Sequence, residues 1–429
     1  MKDLVIIGAG PGGFDTALHA KELGLDVTLI EKHKVGGTCL NYGCIPTKAL
    51  YHNAKHIKDM SSLNVFGIEV DGFSIDNEVI KERKETIVDS QIKNIHTSLQ
   101  KAGVELIDGI GEIVSSNLVR VNDQEIETKH IIIATGSVPS KISFEGDDFD
   151  IIHTSRDILS LEQWPKQMVV VGAGVIGCEM AGIFNQFGTE VTVVEYMDEI
   201  LPPLDNDIKK RARNLYKRQG ITIHTKSAFK KVIQDQEGYK GIIEQKGKEV
   251  VLPTDYVLLS TGRKPNYGGI DLDQLGIQYS PKGITVNEYK QTSIPTIYAI
   301  GDVNGELMLA HKATYDGIKA LHHIIGESSD IHFDEVPSVV FTFPEIATVG
   351  KTEAEMPGEY KTNKYLFKTN AKAECLNETD GFVKLIVDEN DVLVGAHIIG
   401  AHASDLIHEA TALIYNKMNI HEIKQIIHA

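Results

Sequence analysis

The stretch "LVIIGAGPGG", Leu4–Gly13, decides how the chain is read. An apolar run ends in G-x-G-x-x-G at Gly8, Gly10 and Gly13, a helical pattern follows, and the strand-like "DVTLIE" closes on Glu31. One such glycine set is a weak signal, because any Gly-rich turn can produce it. Here it recurs. "MVVVGAGVIG", Met168–Gly177, carries Gly172, Gly174 and Gly177, and "EVTVVE" closes on Glu195; glycines and glutamates are all offset by the same 164 positions. The pattern has a physical reason. The first glycine allows a tight turn, the second lets a pyrophosphate approach the backbone, and the third lets helix and strand pack closely. The helix N-terminus then meets the phosphates with unpaired N–H groups and a positive dipole end. A carboxylate about 20 residues on can accept hydrogen bonds from a ribose diol. Two such units predict two dinucleotide sites and a relay between two cofactors, of which the usual pair is FAD and a nicotinamide. Glu195 repels a 2′-phosphate, which favours NAD over NADP.

Working outward, "HIIIATGSVPS" (His130–Ser140) and "YVLLSTGRKPN" (Tyr256–Asn266) are apolar strands followed by Thr-Gly turns, and they bracket the second unit. "TIYAIGDV" (Thr296–Val303) ends another strand at Gly301–Asp302. An acid at the C-terminal end of a strand can bond a ribitol or ribose hydroxyl, although a plain turn aspartate looks the same in sequence. From Phe333 the alternating runs "PSVVFTF" and "FVKLIVD" predict an antiparallel sheet, with a helix from Ser404 to about Lys417. The fold class expected is α/β, with two Rossmann-like dinucleotide-binding domains plus a C-terminal α+β dimerisation domain. The domain boundaries expected are 1–138 (first part of the FAD-binding domain), 139–262 (NAD-binding), 263–332 (second part of the FAD-binding domain) and 333–429 (interface).

Bulk properties narrow the function. The 429 residues exceed one compact core and suggest about three domains. A net charge of −17, from 43 basic and 60 acidic residues, argues against a nucleic-acid partner, which needs a basic stripe. No apolar run approaches the roughly 18 residues of a membrane span. The N-terminus passes straight into a strand with no signal-peptide pattern, so a cytoplasmic location is expected. Four irregularly spaced cysteines are no secreted disulfide framework.

Two of those cysteines, Cys39 and Cys44, lie in "GGTCLNYGCIPTK", Gly36–Lys48, read as a loop before a helix. Structural zinc wants paired clusters of four ligands. Cys178 reads as a small core residue and Cys375 as a loop thiol, and the 17 histidines form no ligand set, so no metal is expected. A staple between residues five apart would add little stability. A redox pair remains. Cys44 falls at a helix start, where the dipole favours a thiolate.

Together with "ATGS", "GAGVIGCE", "TGRKPN", "AIGDV", "LAHKA" and "VPSVVFTFPE", these motifs resemble the flavoprotein disulfide reductase family along the whole chain, and within it the dihydrolipoamide dehydrogenase branch. The resemblance implies FAD held by Gly8, Gly10, Gly13, Glu31 and Asp302, and the nicotinamide cofactor at the second set, Gly172, Gly174, Gly177 and Glu195. It gives Gly37, Thr38, Thr135, Gly136, Gly301, Ala310, Gly262 and Arg263 as further cofactor-binding positions, with no specific bond for Arg263. It implies that Cys44 is the charge-transfer thiolate, that Cys39 exchanges with the substrate, and that Lys48 and Glu179 form an ion pair beside flavin and nicotinamide. From the residues alone, Lys48 reads as a surface helix lysine and Glu179 as a solvated helix acid.

The implied activity is NAD-linked oxidation of dihydrolipoamide by a homodimer serving lipoyl-bearing domains of acyltransferase or glycine cleavage H-type proteins. Glutathione and mercuric reductases fit less well, since they prefer NADPH. The rival readings are an NADH diaphorase or oxidase with vestigial cysteines, another disulfide reductase, and a silent flavoprotein scaffold. Two departures stand out. The family's base histidine belongs to a C-terminal His-Pro-Thr-x-x-Glu motif, whereas this sequence ends "EIKQIIHA". His428 aligns with an accessory histidine two positions upstream of that base. Lipoamide turnover is therefore expected to be lower by roughly 10²–10⁴-fold, with dye reduction surviving. Phe343 stands where the family usually has a histidine.

Overall fold

The computed structural model describes residues 1–428 as two compact units. The first comprises Met1–Ala49, Lys81–Ser140 and Gly262–His332; the second comprises Leu50–Ile80, Lys141–Thr261 and Phe333–Ala429.

In the first unit the strand Lys2–Ile7 is central. Leu4, Val5 and Ile6 are wholly buried: Leu4 and Ile6 pack with Ala17, Ala20 and Leu321 of the helices, and Val5 on the other face packs with Ile113, Val119 and Val121 of the antiparallel strands. It pairs in parallel with Val27–Glu31 on one side and with the end of Gln124–Ile133 on the other. Glu105–Asp108 and Ile297–Ala299 extend the parallel sheet at its two ends. The strand Gln124–Ile133 is shared. Its first residues pair antiparallel with Leu118–Val121 and its last with the parallel core. The helices Pro11–Glu22 and Ala310–Ile325 pack face to face, because small residues let them approach. A Cβ on Gly12 would stand 3.2 Å from Ala313, and one on Gly317 only 1.7 Å from Thr16 Oγ1. Contacts at 12/313 and 16/317 advance together, so the helices run parallel and their N-termini lie side by side.

The second unit repeats the design. Gln167–Val171, Glu190–Val194, Thr222–His224, Tyr256–Leu259 and Ile152–Thr154 form a five-stranded parallel sheet. A three-stranded antiparallel sheet, Ser227–Asp235, Gly238–Gln245 and Lys248–Pro253, accompanies it. The C-terminal part is the antiparallel sheet expected from the alternating sequence. Its five strands run in the order Ser338–Val340, Ile346–Gly350, Leu393–Ile399, Phe382–Asp388, Tyr360–Leu366, with the helix Ala403–Tyr415 packed on it.

The "PSVVFTF" strand is shorter than its apolar run suggests. Phe341 N–H leaves the ladder for Glu179 Oε1 at 2.9 Å, and Phe343–Pro344 is cis. Phe343, the odd residue of that motif, is buried and stacked on Tyr51 with ring centroids 4.8 Å apart. Lys384, wholly buried on Phe382–Asp388, reaches Asp205 at 2.8 Å, Asp207 at 2.7 Å and Glu353 at 3.1 Å. Asp205 is also the N-cap of the helix Asn206–Arg218, so one lysine ties that helix to the C-terminal sheet. Among the described residues, no helix is long and apolar enough to cross a membrane.

Candidate active site

The two glycine motifs form nearly the same structure. Gly8 and Gly172 have φ of +105° and +98°, and a Cβ on either would stand 2.4 and 2.5 Å from Ala134 O and Ser260 O. A Cβ on Gly13 would lie 1.8 Å from Gly8 O, and on Gly177 2.0 Å from Gly172 O, so a side chain at either would part helix from strand. The middle glycines are open: Gly174 has nothing within 4 Å, and Gly10 has only Gly37 Cα at 3.9 Å. The space a pyrophosphate needs at the helix N-terminus is present in both units.

Each strand-end carboxylate is fastened in the same way. Glu31 Oε2 accepts from Ala9 N (2.7 Å) and its Oε1 from His33 N (2.9 Å). Glu195 Oε2 accepts from Ala173 N (2.6 Å) and its Oε1 from Met197 N (2.8 Å). Both side chains are buried, which leaves only their outer edges for a ribose diol.

Around the first cradle, Gly36 and Gly37 adopt positive φ and start a six-residue helix, Gly37–Tyr42. A Cβ on Gly37 would lie 2.7 Å from Gly10 Cα, which brings the cysteine segment against the phosphate loop. Asn41 Nδ2 donates to Val35 O and Gly37 O at 3.0 and 2.9 Å and closes the turn. Cys39 therefore sits on a helix, not in the loop the sequence suggested. Thr38 shares its first turn. The next helix, Cys44–Met60, opens at Cys44, as its pattern predicted.

Both thiols are partly buried and are not joined by a disulfide. The hydrogen bond with Cys44, together with burial and the Cys44 charge, pushes the Cys39 thiol far above its ordinary range, against the pull of Lys48. Cys39 thus holds its proton tightly, and Cys44 opens the next helix, where the dipole favours a thiolate. Lys48 follows Cys44 by one helical turn and is half-buried rather than on the surface.

Asp302 lies in the turn Gly301–Asn304 and accepts from Ser137 Oγ at 2.5 Å. Arg263 donates through Nε to Ser137 Oγ (2.7 Å) and through Nη2 to Ser137 O (2.8 Å), and its Nε stands 4.0 Å from Asp302 Oδ2. Arg263 and Gly262 belong to the first unit, with Asp302, and not to the unit that holds Glu195. Thr135 Oγ1 donates to Asn266 O at 2.5 Å, and Asn266 N–H donates to Gly136 O at 2.9 Å. Ala310 opens the helix whose N-terminus lies beside that of Pro11–Glu22, so two positive dipole ends lie side by side.

In the second unit Glu179 is buried in the helix Val175–Gln186, where the unaided sequence suggested a solvated acid. Cys178 is buried as expected, and Cys375 ends a short helix, exposed. His428 Nδ1 donates to Ile426 O at 2.9 Å and the ring pairs with Glu409 on the surface, in coil beyond the short helix Ile420–Ile423 and not at a helix end. Ser137 was absent from the sequence reading; its position inside "ATGS" was the available signal.

Residues 2–317 match the family model described as pyridine nucleotide-disulphide oxidoreductase, and residues 336–429 match that family's dimerisation domain. A dihydrolipoyl dehydrogenase of Bacillus subtilis (strain 168) is 40% identical over 444 residues, spanning all of this chain and 93% of that one. Among solved structures, LpdA from Mycobacterium tuberculosis has a TM-score of 0.92 at 27% identity, covering 100% of this chain and 96% of that one. The HOCl-induced flavoprotein disulfide reductase RclA from Escherichia coli has a TM-score of 0.88 at 25% identity, with 100% and 96% covered. The chain belongs to the pyridine nucleotide-disulphide oxidoreductase family. It is an FAD- and NAD-dependent disulfide oxidoreductase, and its dimerisation domain supports a homodimer.

Proposed function

We propose that the protein oxidises dihydrolipoamide groups, carried on lipoyl-bearing domains of acyltransferase or glycine cleavage H-type proteins, and passes the electrons to NAD in the cytoplasm. The observation that carries this reading is the Cys39–Cys44 pair, hydrogen-bonded together beside Lys48 at a helix start. Relatives that print the name dihydrolipoyl dehydrogenase support the substrate class. We assign 1–138 and 263–332 to FAD, 139–262 to NAD, and 333–429 to dimer contact.

In the oxidised state Cys39 and Cys44 form a disulfide. One dihydrolipoamide thiolate attacks Cys39 Sγ, breaks the Cys39–Cys44 bond and leaves Cys44 as the thiolate. The second substrate thiol then displaces Cys39, which closes the lipoamide disulfide, and Cys39 Sγ takes a proton. FAD, when bound, supplies the two-electron relay that returns the cysteine pair to its disulfide at the expense of NAD. The Cys44 thiolate is stabilised at its helix N-terminus, and the high proton affinity of Cys39 keeps the two roles apart. Overall, dihydrolipoamide and NAD⁺ give lipoamide, NADH and a proton.

The test compares NAD reduction driven by dihydrolipoamide, by glutathione and by other thiols on one yellow preparation, with NADH-dependent dye reduction alongside. Dihydrolipoamide should exceed the other thiols, and Cys39→Ser should lower that activity by more than about 10³-fold while sparing dye reduction. Equal thiol rates would favour a broader disulfide reductase, a reading that the likeness to RclA supports. Dihydrolipoamide activity that survives Cys39→Ser would point to a diaphorase with idle cysteines.

A further inference from the structure

Beneath the Gly301–Asn304 turn lies a buried charged quartet. Asp316, on the helix Ala310–Ile325, has no exposed surface. Its Oδ2 accepts from Gly301 N at 3.0 Å, Asn304 Nδ2 at 3.1 Å and Lys312 Nζ at 2.7 Å. Its Oδ1 faces Lys290 Nζ at 3.4 Å. Lys312 and Lys290 both reach Glu306 Oε2, at 2.5 and 2.7 Å. Both lysine side chains are almost wholly buried, at 1% and 4% exposure.

Buried lysines are rare and costly unless paired, and here two cations face two carboxylates, so the quartet is neutral. One role is a simple staple. The bonding pattern is more specific than that. Asp316 grips the residue before Asp302 through its backbone and the second residue after it through its side chain. On the opposite side Ser137 Oγ holds the Asp302 carboxylate at 2.5 Å. Gly301 has φ +68°, and a Cβ there would stand 2.9 Å from Ala313 Cβ, so the turn has little room to settle elsewhere.

We propose that Asp316 is a positioning residue of the flavin site: clamped by Lys312 and Lys290, its carboxylate holds the Gly301–Asn304 turn so that Asp302 presents its own carboxylate to the hydroxylated chain of FAD. The inference rests on the reading of Asp302 as a flavin-binding residue.

A residue that acts through Asp302 loses its influence once the Asp302 carboxylate is gone, whereas independent sites add. The experiment therefore uses full-length Asp302→Asn, Asp316→Asn, the double variant, and Asn304→Ala with and without Asp302→Asn. FAD affinity is measured by titrating flavin into apoprotein, with the flavin absorbance envelope as a second readout. Asp316→Asn should weaken FAD about tenfold, the scale of one lost hydrogen bond to a charged group, and should alter the flavin spectrum. It should add less than about twofold in the Asp302→Asn background. Asn304→Ala, which removes one of the two turn bonds, should act in the same direction by less, and it carries the test should Asp316→Asn fail to fold. Equal losses in both backgrounds would overturn the proposal and leave a general staple, and so would an unchanged affinity. Should Asp302→Asn itself leave affinity and spectrum unchanged, the Asp302 reading falls and this inference falls with it.

Discussion

Cys39 holds its proton more tightly when folded than when unfolded, first through its bond to Cys44 and then through burial. An unfolded thiol ionises near its ordinary value of 9.0. Above that pH the unfolded, reduced chain binds fewer protons than the folded one, so stability falls as pH rises. Thermal melts of the reduced protein between pH 7 and 10 should show this decline, and Cys39→Ser should remove it. Glu195 gives a second prediction at this scale. Replacing its carboxylate by the amide in Glu195→Gln sets a donor against the N–H of Ala173 or Met197. The NADH KM should rise about tenfold in steady-state kinetics, with discrimination against NADPH reduced. The acid's identity was legible from its place after the glycine motif. Its two backbone bonds were not, because they depend on a loop path that spacing alone does not describe. Glu179 was misread for a related reason: a helix acid looks solvated until the segment around Phe341 is placed against it.

Among the elements, the helix Asn206–Arg218 and the strand Phe382–Asp388 are held together by Lys384. Removing the lysine leaves Asp205 buried without its partner. Lys384→Met should therefore cost about 3–5 kcal/mol by denaturant titration of the second unit. Burial by itself raises the Asp205 and Asp207 carboxyls, but Lys384, with Lys364 at Asp207, outweighs it and leaves both below their ordinary values. Groups lowered in this way stabilise the fold above the unfolded carboxyl value of 3.8 and lose that contribution as pH falls through the folded values. In Lys384→Met the acid limb of a stability–pH curve should flatten. The sequence analysis placed no helix here, and the partnership was not legible at all: Lys384 and Asp205 are 179 residues apart. By contrast the cysteine helix start at Cys44 was legible locally, since dipole, proline and apolar spacing all lie within a few residues. The turn carrying Cys39 was not, because its helical form depends on Gly36 and Gly37 taking positive φ against the phosphate loop.

For the whole molecule, the repeat predicts separable losses. Gly13→Ala places a methyl 1.8 Å from Gly8 O, and Gly177→Ala places one 2.0 Å from Gly172 O. The first variant should purify colourless. The second should remain yellow but lose NADH-driven dye reduction; absorbance spectra and that assay distinguish them. The doubled fold was plain in sequence because strand, glycines, helix and acid recur at one offset. The quartet under Asp302 was hidden, since it draws on residues from 290 to 316 that share no motif.

The main-chain fastening of Glu31 and Glu195 also bears on how the protein meets its dinucleotides. With both carboxylate oxygens already engaged, the loops that receive a ribose are ordered before any ligand arrives. Little chain entropy remains to be lost on binding, so each bond formed to the ribose counts almost fully towards affinity. A flavin-stripped chain should then keep its receptor loops shaped, and refilling it should be limited by encounter instead of by refolding.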